Sequence, residues 1–458
     1  MKRDIEMNLK VIGPLMLIPL ILILAANLLT CAAHTPTPAS DPTPVPALVP
    51  AQPAELPKIA AVVDVVQDAT PREVEEEATT PIMEPQHKDQ LFGLYSCSAE
   101  HGTLIFTSAI FPPDLITEIL PMGKMAQQSG HVTPADHLYI HRDAPLGEDV
   151  NYVVAPADGY IVDIARFSQD RPLDWDNPLS PMVPDYRLIF MHSCKLFTIF
   201  IHLGELAPAV AEKVGQIPLN GRWAAMSSEP IEVKAGEPIA KYGATNLDWS
   251  VHDVDTTLAG FVVPEHYETE PWKIHTVDPF QFYSEPIKSD LLSKIPRTVE
   301  PRAGKIDYDI EGTIVGNWFM DGTVDYSGNV PPSSEYWQGH LSIVYGFIDP
   351  TQIHISIGFD IGINNDLCPV CRGLYGVRGN QPDPATVGPD SGIVKYELMS
   401  RKNEGPGGWL VKEQVGDTSL GTFLVQHMGD RTIRIEVILG KAPNEVSGFS
   451  DASLVYRR

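Results

Sequence analysis

Basic residues are scarce in this chain: 33 Lys and Arg face 59 Asp and Glu, for a formal net charge of −26. Such a surface repels phosphate backbones and anionic headgroups, so nucleic acid is excluded as an expected partner. Cysteine is scarce as well, with five in 458 residues. Cys368-Pro-Val-Cys371 is the sole Cys-x-x-Cys, which excludes a zinc ribbon built from two such pairs. It reads as a local disulfide or as two free thiols in a loop. No internal repeat is visible.

One long apolar run is present, at residues 11–29. Lys2, Arg3 and Lys10 precede it, and it ends in Leu28-Leu29-Thr30-Cys31. That ending is close to a bacterial lipobox, in which the thiol of Cys31 is the lipidation point. Thr30 is uncommon before such a Cys, and the run nearly reaches the length of a bilayer span, so a plain N-terminal anchor is the other reading. No basic stop-transfer cluster follows Cys31, which favours the lipoprotein. Either way the expectation is an exported protein held at the outer face of a bacterial membrane. Disulfides persist in that compartment, and Cys97 with Cys194 is a candidate structural bridge.

A chain of this length implies two folded domains plus tails. Residues 32–90 are rich in Pro, Thr and Ala, then in Glu, and read as a disordered tether. Residues 91–287 are globular in composition. Runs at 103–107, 159–164, 186–191 and 196–201 mix β-branched and aromatic residues, as strands do. Residues 288–303 read as a linker. In 304–458, runs at 340–345, 352–357, 392–398, 422–426 and 432–437 largely alternate apolar and polar residues. This second domain is therefore expected to be an antiparallel β sandwich or small barrel. Trp318, Tyr336, Trp337 and Tyr345 read as core there, with the lining of a ligand cavity as the rival reading. No catalytic motif is recognisable in this half.

The chemistry lies earlier. His137-Leu-Tyr-Ile-His141 places two histidines four apart, able to share one metal ion. Fourteen residues on, Ala155-Pro-Ala-Asp-Gly159 turns into a strand. Phe200-Ile-His202-Leu203 and Ser250-Val-His252 follow in order. Gly236 sits in a turn before another strand, where glycine supplies positive φ, and Val277-Asp278-Pro279-Phe280 closes the set.

This ordered set, over residues 134–282, resembles the LytM/lysostaphin-type zinc endopeptidases that cut peptidoglycan peptides. The resemblance implies a mainly β fold whose first domain is a duplicated hybrid motif sheet, with 166–185 and 207–230 as insertions. In that family a His, an Asp four residues on and a last His bind zinc, and two further histidines assist catalysis. His137 matches the first ligand, His141 stands in place of the Asp, and His252 matches the last. The resemblance thus implies Zn2+ on His137, His141 and His252, with His202 as the strand-borne catalytic histidine. Ser250 replaces the histidine that begins His-x-His. Imidazole is a good zinc ligand, so His141 keeps a donor. Serine is no base near neutral pH without help, which makes Asp248, Asp253 and Asp255 candidate substitutes. A register on His131 and Asp136 loses the spacing to the Ala-Pro turn.

The function expected is that of a membrane-tethered LytM-like zinc endopeptidase acting on cell-wall peptides. Its alternative is a catalytically inactive module that binds peptidoglycan or glycan, or regulates a wall hydrolase. A third reading gives the C-terminal β domain a small or lipidic ligand.

Overall fold

Leu247–Asp253 alternates apolar residues (Leu247, Trp249, Val251) with polar ones (Asp248, Ser250, His252), the pattern of a strand with one wet face. Yet all six are buried, because this strand lies in the interior of a large sheet.

The computed structural model describes residues 106–125, 131–142, 152–172, 179–225, 229–243, 246–328, 336–358, 373–404 and 412–458. The first half holds strands β1 Ile116–Leu120, β2 Leu138–Arg142, β3 Tyr152–Val154, β4 Gly159–Arg166, β5 Arg171–Pro172, β6 Met182–Val183 and β7 Tyr186–Met191. It continues with β8 Leu196–Leu206, β9 Arg222–Ala224, β10 Ile231–Val233, β11 Pro238–Tyr242, β12 Leu247–Asp253 and β13 Thr276–Val277. The sheet runs β1-β2-β12-β8-β7-β4-β10. β11 joins β8 and β3, β13 joins β12, and β9 joins β4, while β5 and β6 form a separate ribbon. Helix α1 (Pro208–Val214) lies between β8 and β9.

Leu247, Trp249 and Val251 enter one large core with Phe106, Leu138, Phe200 and Phe280. Across the sheet, Phe197 and Ile199 pair with His252 and Ser250 and belong to a second cluster with Val162, Ile189 and Val254. Gly236, at φ +81°, makes the expected turn between β10 and β11. The two strands do not form a hairpin, however: β10 pairs with β4, and β11 with β3 and β8. The turn docks instead on the Ala155–Gly159 turn. The Gly236 N–H donates to Ala155 O at 2.8 Å, and Ala235 N–H to Asp158 Oδ1 at 3.0 Å. Asp278 caps the closing element by accepting from Phe280 N–H at 2.8 Å.

The second half is a closed barrel of β14 Gly316–Met320, β15 His340–Tyr345, β16 Ile353–Ile357, β17 Gly373–Val377, β18 Val394–Glu404, β19 Lys412–Gly429, β20 Thr432–Leu439 and β21 Leu454–Arg457. All eight run antiparallel in chain order, and β21 returns to β14. Eight strands enclose just enough space for side chains to fill. Trp318, Leu341, Ile355, Tyr375, Tyr396, Phe423 and Tyr456 form its core. Of the aromatic residues weighed for a cavity, Trp318 is core, Tyr336 and Trp337 lie on the turn before β15, and the Tyr345 hydroxyl donates to Asp383. The fold is thus mainly β, with an antiparallel barrel following the sheet.

The halves share one interior. Ala303, Ile306, Phe319 and Tyr326 belong to the same cluster as the sheet core. Within 288–303, helix α2 (Ile287–Leu292) is followed by buried Arg297, which donates to Val299 O, Pro301 O and Phe347 O. The stretch read as a linker is therefore packed. Asp309 accepts from Val262 N–H of the sheet half and Asn317 N–H of the barrel. Arg458 lies beside Asp309 at 3.4 Å, donates to Ile310 O and Thr313 O, and covers the Trp318 ring at 4.2 Å. Cys194 is disulfide-bonded. Cys31, Cys97, Cys368 and Cys371, with the anchor and tether, lie outside the described residues. Among the described residues no helix is long and apolar enough to cross a membrane.

Arg458→Ala strands several buried carbonyls and Asp309, whose carboxyl burial already lifts to about 6. The variant is expected to lose about 3 kcal/mol of stability in urea unfolding. Burial also pulls His340 and His354 down to about 3. Between pH 3 and the ordinary histidine value near 6.5 the unfolded chain binds protons there that the folded chain refuses. Stability is thus full above about 6.5 and falls on acidification, by about 1.4 kcal/mol per pH unit for each histidine. In His340→Gln the slope of stability against pH is expected to shrink by about one proton.

Candidate functional site

Three neighbouring strands assemble the polar cluster. β12 lies between β2 and β8, with Asp248 opposite Tyr139 on one side and Ile201 on the other. Opposed residues share a face, so Asp248 projects on the side of Tyr139, and His137, two residues earlier, shares that side. His202 arrives by a different route. Its φ is +68°, a left-handed backbone that costs free energy for any residue with a Cβ. It lies next to the shift in register between β8 and β11. A Cβ on Gly243 would stand 2.0 Å from His202 O, so the bend fits only because residue 243 is glycine.

Asp248 Oδ2 lies 3.3 Å from His137 Nε2 and 3.4 Å from His202 Nε2. Behind each ring stands a second carboxylate. Asp136 Oδ1 is 3.0 Å from His137 Nδ1, and Asp185 Oδ1 is 3.0 Å from His202 Nδ1. Arg171 Nε ends the row at 2.6 Å from Asp185 Oδ2. The row therefore alternates acid and base: Asp136, His137, Asp248, His202, Asp185, Arg171. Asp136, His137, Asp185 and Asp248 are 8%, 6%, 3% and 4% exposed, so their charges are poorly screened and each needs its neighbour.

The electrostatics follow from that burial. Burial works against a charged Asp136, but Lys273 and then His137 hold its carboxyl far below the ordinary carboxylate range. Lys273 is itself buried and donates to Pro134 O at 2.9 Å. Burial likewise opposes a charged His137, yet Asp248 and Asp136 outweigh it and leave its pKa raised. His131, with its ring 5.1 Å from that of His137, is pushed well down by burial and then by His137.

The other two histidines feel this row through charge, Asp248 acting on His141 and Asp136 and His137 on His252. His141 lies further along β2, opposite Glu118 of β1, and burial followed by Lys124 brings its pKa down to about 4. His252 is fully buried, with Nε2 2.8 Å from Ser250 Oγ and Nδ1 3.0 Å from Trp272 O. Burial lowers its pKa to about 4. Both of its nitrogens are thus engaged with the protein. Among the described residues no group of three or more His, Cys, Asp or Glu side chains is placed so that it could hold a metal ion. The set His137, His141 and His252 does not fit a zinc ion as placed. Of the candidate substitutes for Ser250, Asp248 enters the cluster. Asp253 ends β12 and accepts from Asp255 N–H, while Asp255 pairs with Lys195.

Sequence reasoning placed His137 and His202 in the site but gave Asp248 only a secondary part and passed over Asp185 and Arg171. The pattern Asp248-x-Ser250-x-His252, three polar residues on one face of an otherwise apolar strand, was the available signal for Asp248. Asp185 and Arg171 come from the first insertion, and nothing local marks them. No protein-family profile matches this chain, and no curated protein is significantly similar to it.

Gly243→Ala forces its new methyl onto a backbone oxygen that no side-chain rotation can move. The expected result is a loss of about 3 kcal/mol together with a displaced His202 imidazole, read as a moved ring resonance in a histidine-detected NMR spectrum.

Proposed function

We propose that this protein is an exported, membrane-tethered LytM-like hydrolase that cuts cell-wall peptides with the help of zinc. What carries the reading is the pair His137 and His202: each turns Nε2 toward one buried carboxylate and is held from behind by another. Carboxylate–imidazole pairs of this kind fix the ring tautomer and orientation in zinc sites, leaving Nε2 free to ligate. In the hydrolase reading a zinc ion would supply a water of lowered pKa and would polarise the scissile carbonyl. Asp136 and Asp185 keep the two rings oriented, and Arg171 holds Asp185 in place by pairing with it at 2.6 Å. The duplicated hybrid motif, peptidoglycan as substrate, lipidation at Cys31 and position at the outer membrane face rest on the sequence resemblance and the N-terminal segment.

A second reading is favoured by one observation. Ser250 stands where the family carries an assisting imidazole, and it is hydrogen-bonded to His252. A module that binds peptidoglycan without cutting it would tolerate that exchange.

The test is the full-length protein, zinc-supplied, on purified peptidoglycan, with new amino groups counted as peptide bonds break. Release is expected, and His202→Ala is expected to lower its rate at least about 100-fold. Co-sedimentation with the wall and no release, at any zinc level, overturns the hydrolase in favour of the binding module.

A further inference from the structure

We propose that Arg187 and Arg222, with the buried Asp163 behind them, form a subsite for a carboxylate of the substrate, on the same face of the sheet as Asp248. This inference rests on the wall-peptide reading and adds what the peptide must carry: an acidic group about four residues from the bond that breaks.

The strand register places these groups. Arg222 of β9 and Arg187 of β7 both stand opposite Ala165 of β4, one on each side. Arg187 in turn stands opposite Ile201 of β8, and Ile201 opposite Asp248 of β12. Opposed residues share a face, so these five residues form one row across five strands. Asp163, two residues before Ala165, shares that side and is fully buried. Arg222 is exposed, Ala165, Arg187 and Ile201 are half-buried, and Asp248 is buried. The row is thus an open track that ends at Asp248. Ala165 leaves room between the two arginines, because its side chain is a single methyl.

Charge makes the track selective. Asp163 Oδ2 accepts from Arg222 Nε, and its Oδ1 lies 3.4 Å from Arg187 Nη2. One guanidinium balances one carboxylate, so the trio keeps a positive charge in excess, in a chain of net charge −26. Arg187 is the loosely held member. Charge-assisted N–H···O bonds are about 2.7–2.9 Å long, so its contact is a long one, and its Nε is buried without a hydrogen-bond partner. Among the described residues Asp163 is the only hydrogen-bond or ion-pair partner of either guanidinium. The N–H groups that remain form forks that fit a carboxylate. A carboxylate held over Ala165 lies three strand spacings, or about 14 Å, from Asp248. About four residues of extended peptide cover that distance, with Ile201 as an apolar floor beneath them.

The experiment uses the full-length chain and reads binding rather than cutting. Purified peptidoglycan is divided, and one portion has its free carboxyls capped as amides with carbodiimide and ethanolamine. Co-sedimentation gives the affinity for each portion. Wild type is expected to bind the amidated wall about 10-fold more weakly than the native wall. Arg222→Gln and Arg187→Gln are expected to bind native wall about 10-fold more weakly than wild type and to be indifferent to amidation, because the group that reads the charge is gone. If Arg187→Gln fails to fold, the more exposed Arg222→Gln and the amidation of the wall, which alters no residue, still decide. Equal binding of both walls by wild type overturns the subsite and, where the wall is still cut, leaves the hydrolase standing. Weaker binding by Arg222→Gln with no effect of amidation on wild type assigns the arginines to another anion, such as phosphate, and overturns the carboxylate. An Arg222→Gln protein as sensitive to amidation as wild type places the reader of the carboxylate elsewhere and overturns the subsite too. A wild type that neither binds nor cuts either wall overturns both readings.

Discussion

A carboxylate buried in the middle of a β-sheet governs this molecule. Asp248 lies on β12 between two paired neighbours and is 4% exposed. Taking an ionised carboxylate from water costs several kcal/mol unless partners replace the solvent. The partners here are two imidazoles, and each imidazole in turn has its own buried carboxylate. The row ends only where Arg171 reaches the half-exposed edge on one side and Lys273 neutralises the Asp136 end on the other. Every member is thus justified by the next, and the six residues come from four separate stretches of chain. Such an arrangement asks the surrounding backbone for precision, and the left-handed His202 is where the backbone yields.

Much of the fold was legible in the residues. β4, β7, β8 and five barrel strands fall on runs whose apolar and β-branched pattern announces them, because local propensity and burial agree there. The Ala155–Gly159 and Gly236 turns were readable from glycine and Asp, which have local conformational preferences. What was not legible is pairing. β10 and β11 are joined by a short glycine turn, yet they pair with different neighbours, since strand partners are chosen by long-range packing. The stretch 288–303 reads as a linker because α2 is short and the burial of Arg297 depends on Phe347, fifty positions away.

The site divides along the same line. Histidine order along the chain pointed to His137 and His202, and both rings lie beside Asp248. His252 lies four residues beyond Asp248 on the same strand, with Ser250 and Trp272 as its hydrogen-bond partners. Asp248, two register steps away, is the residue that meets both rings. Asp185 and Arg171 belong to the connection before β7, where no motif marks them and only the folded chain brings them near His202.

The barrel carries a consequence for the history of the chain. β14 has two neighbours, β15 immediately after it and β21 from the far end, and Arg458 bonds Val315 across 143 positions. During synthesis β14 therefore emerges with one edge bare and stays so until the last residues of the barrel appear. Closure of so long a loop is slow compared with local pairing, and a bare edge invites pairing with other chains. A chain that has not yet closed this barrel thus leaves an edge of β14 open to pairing with other chains.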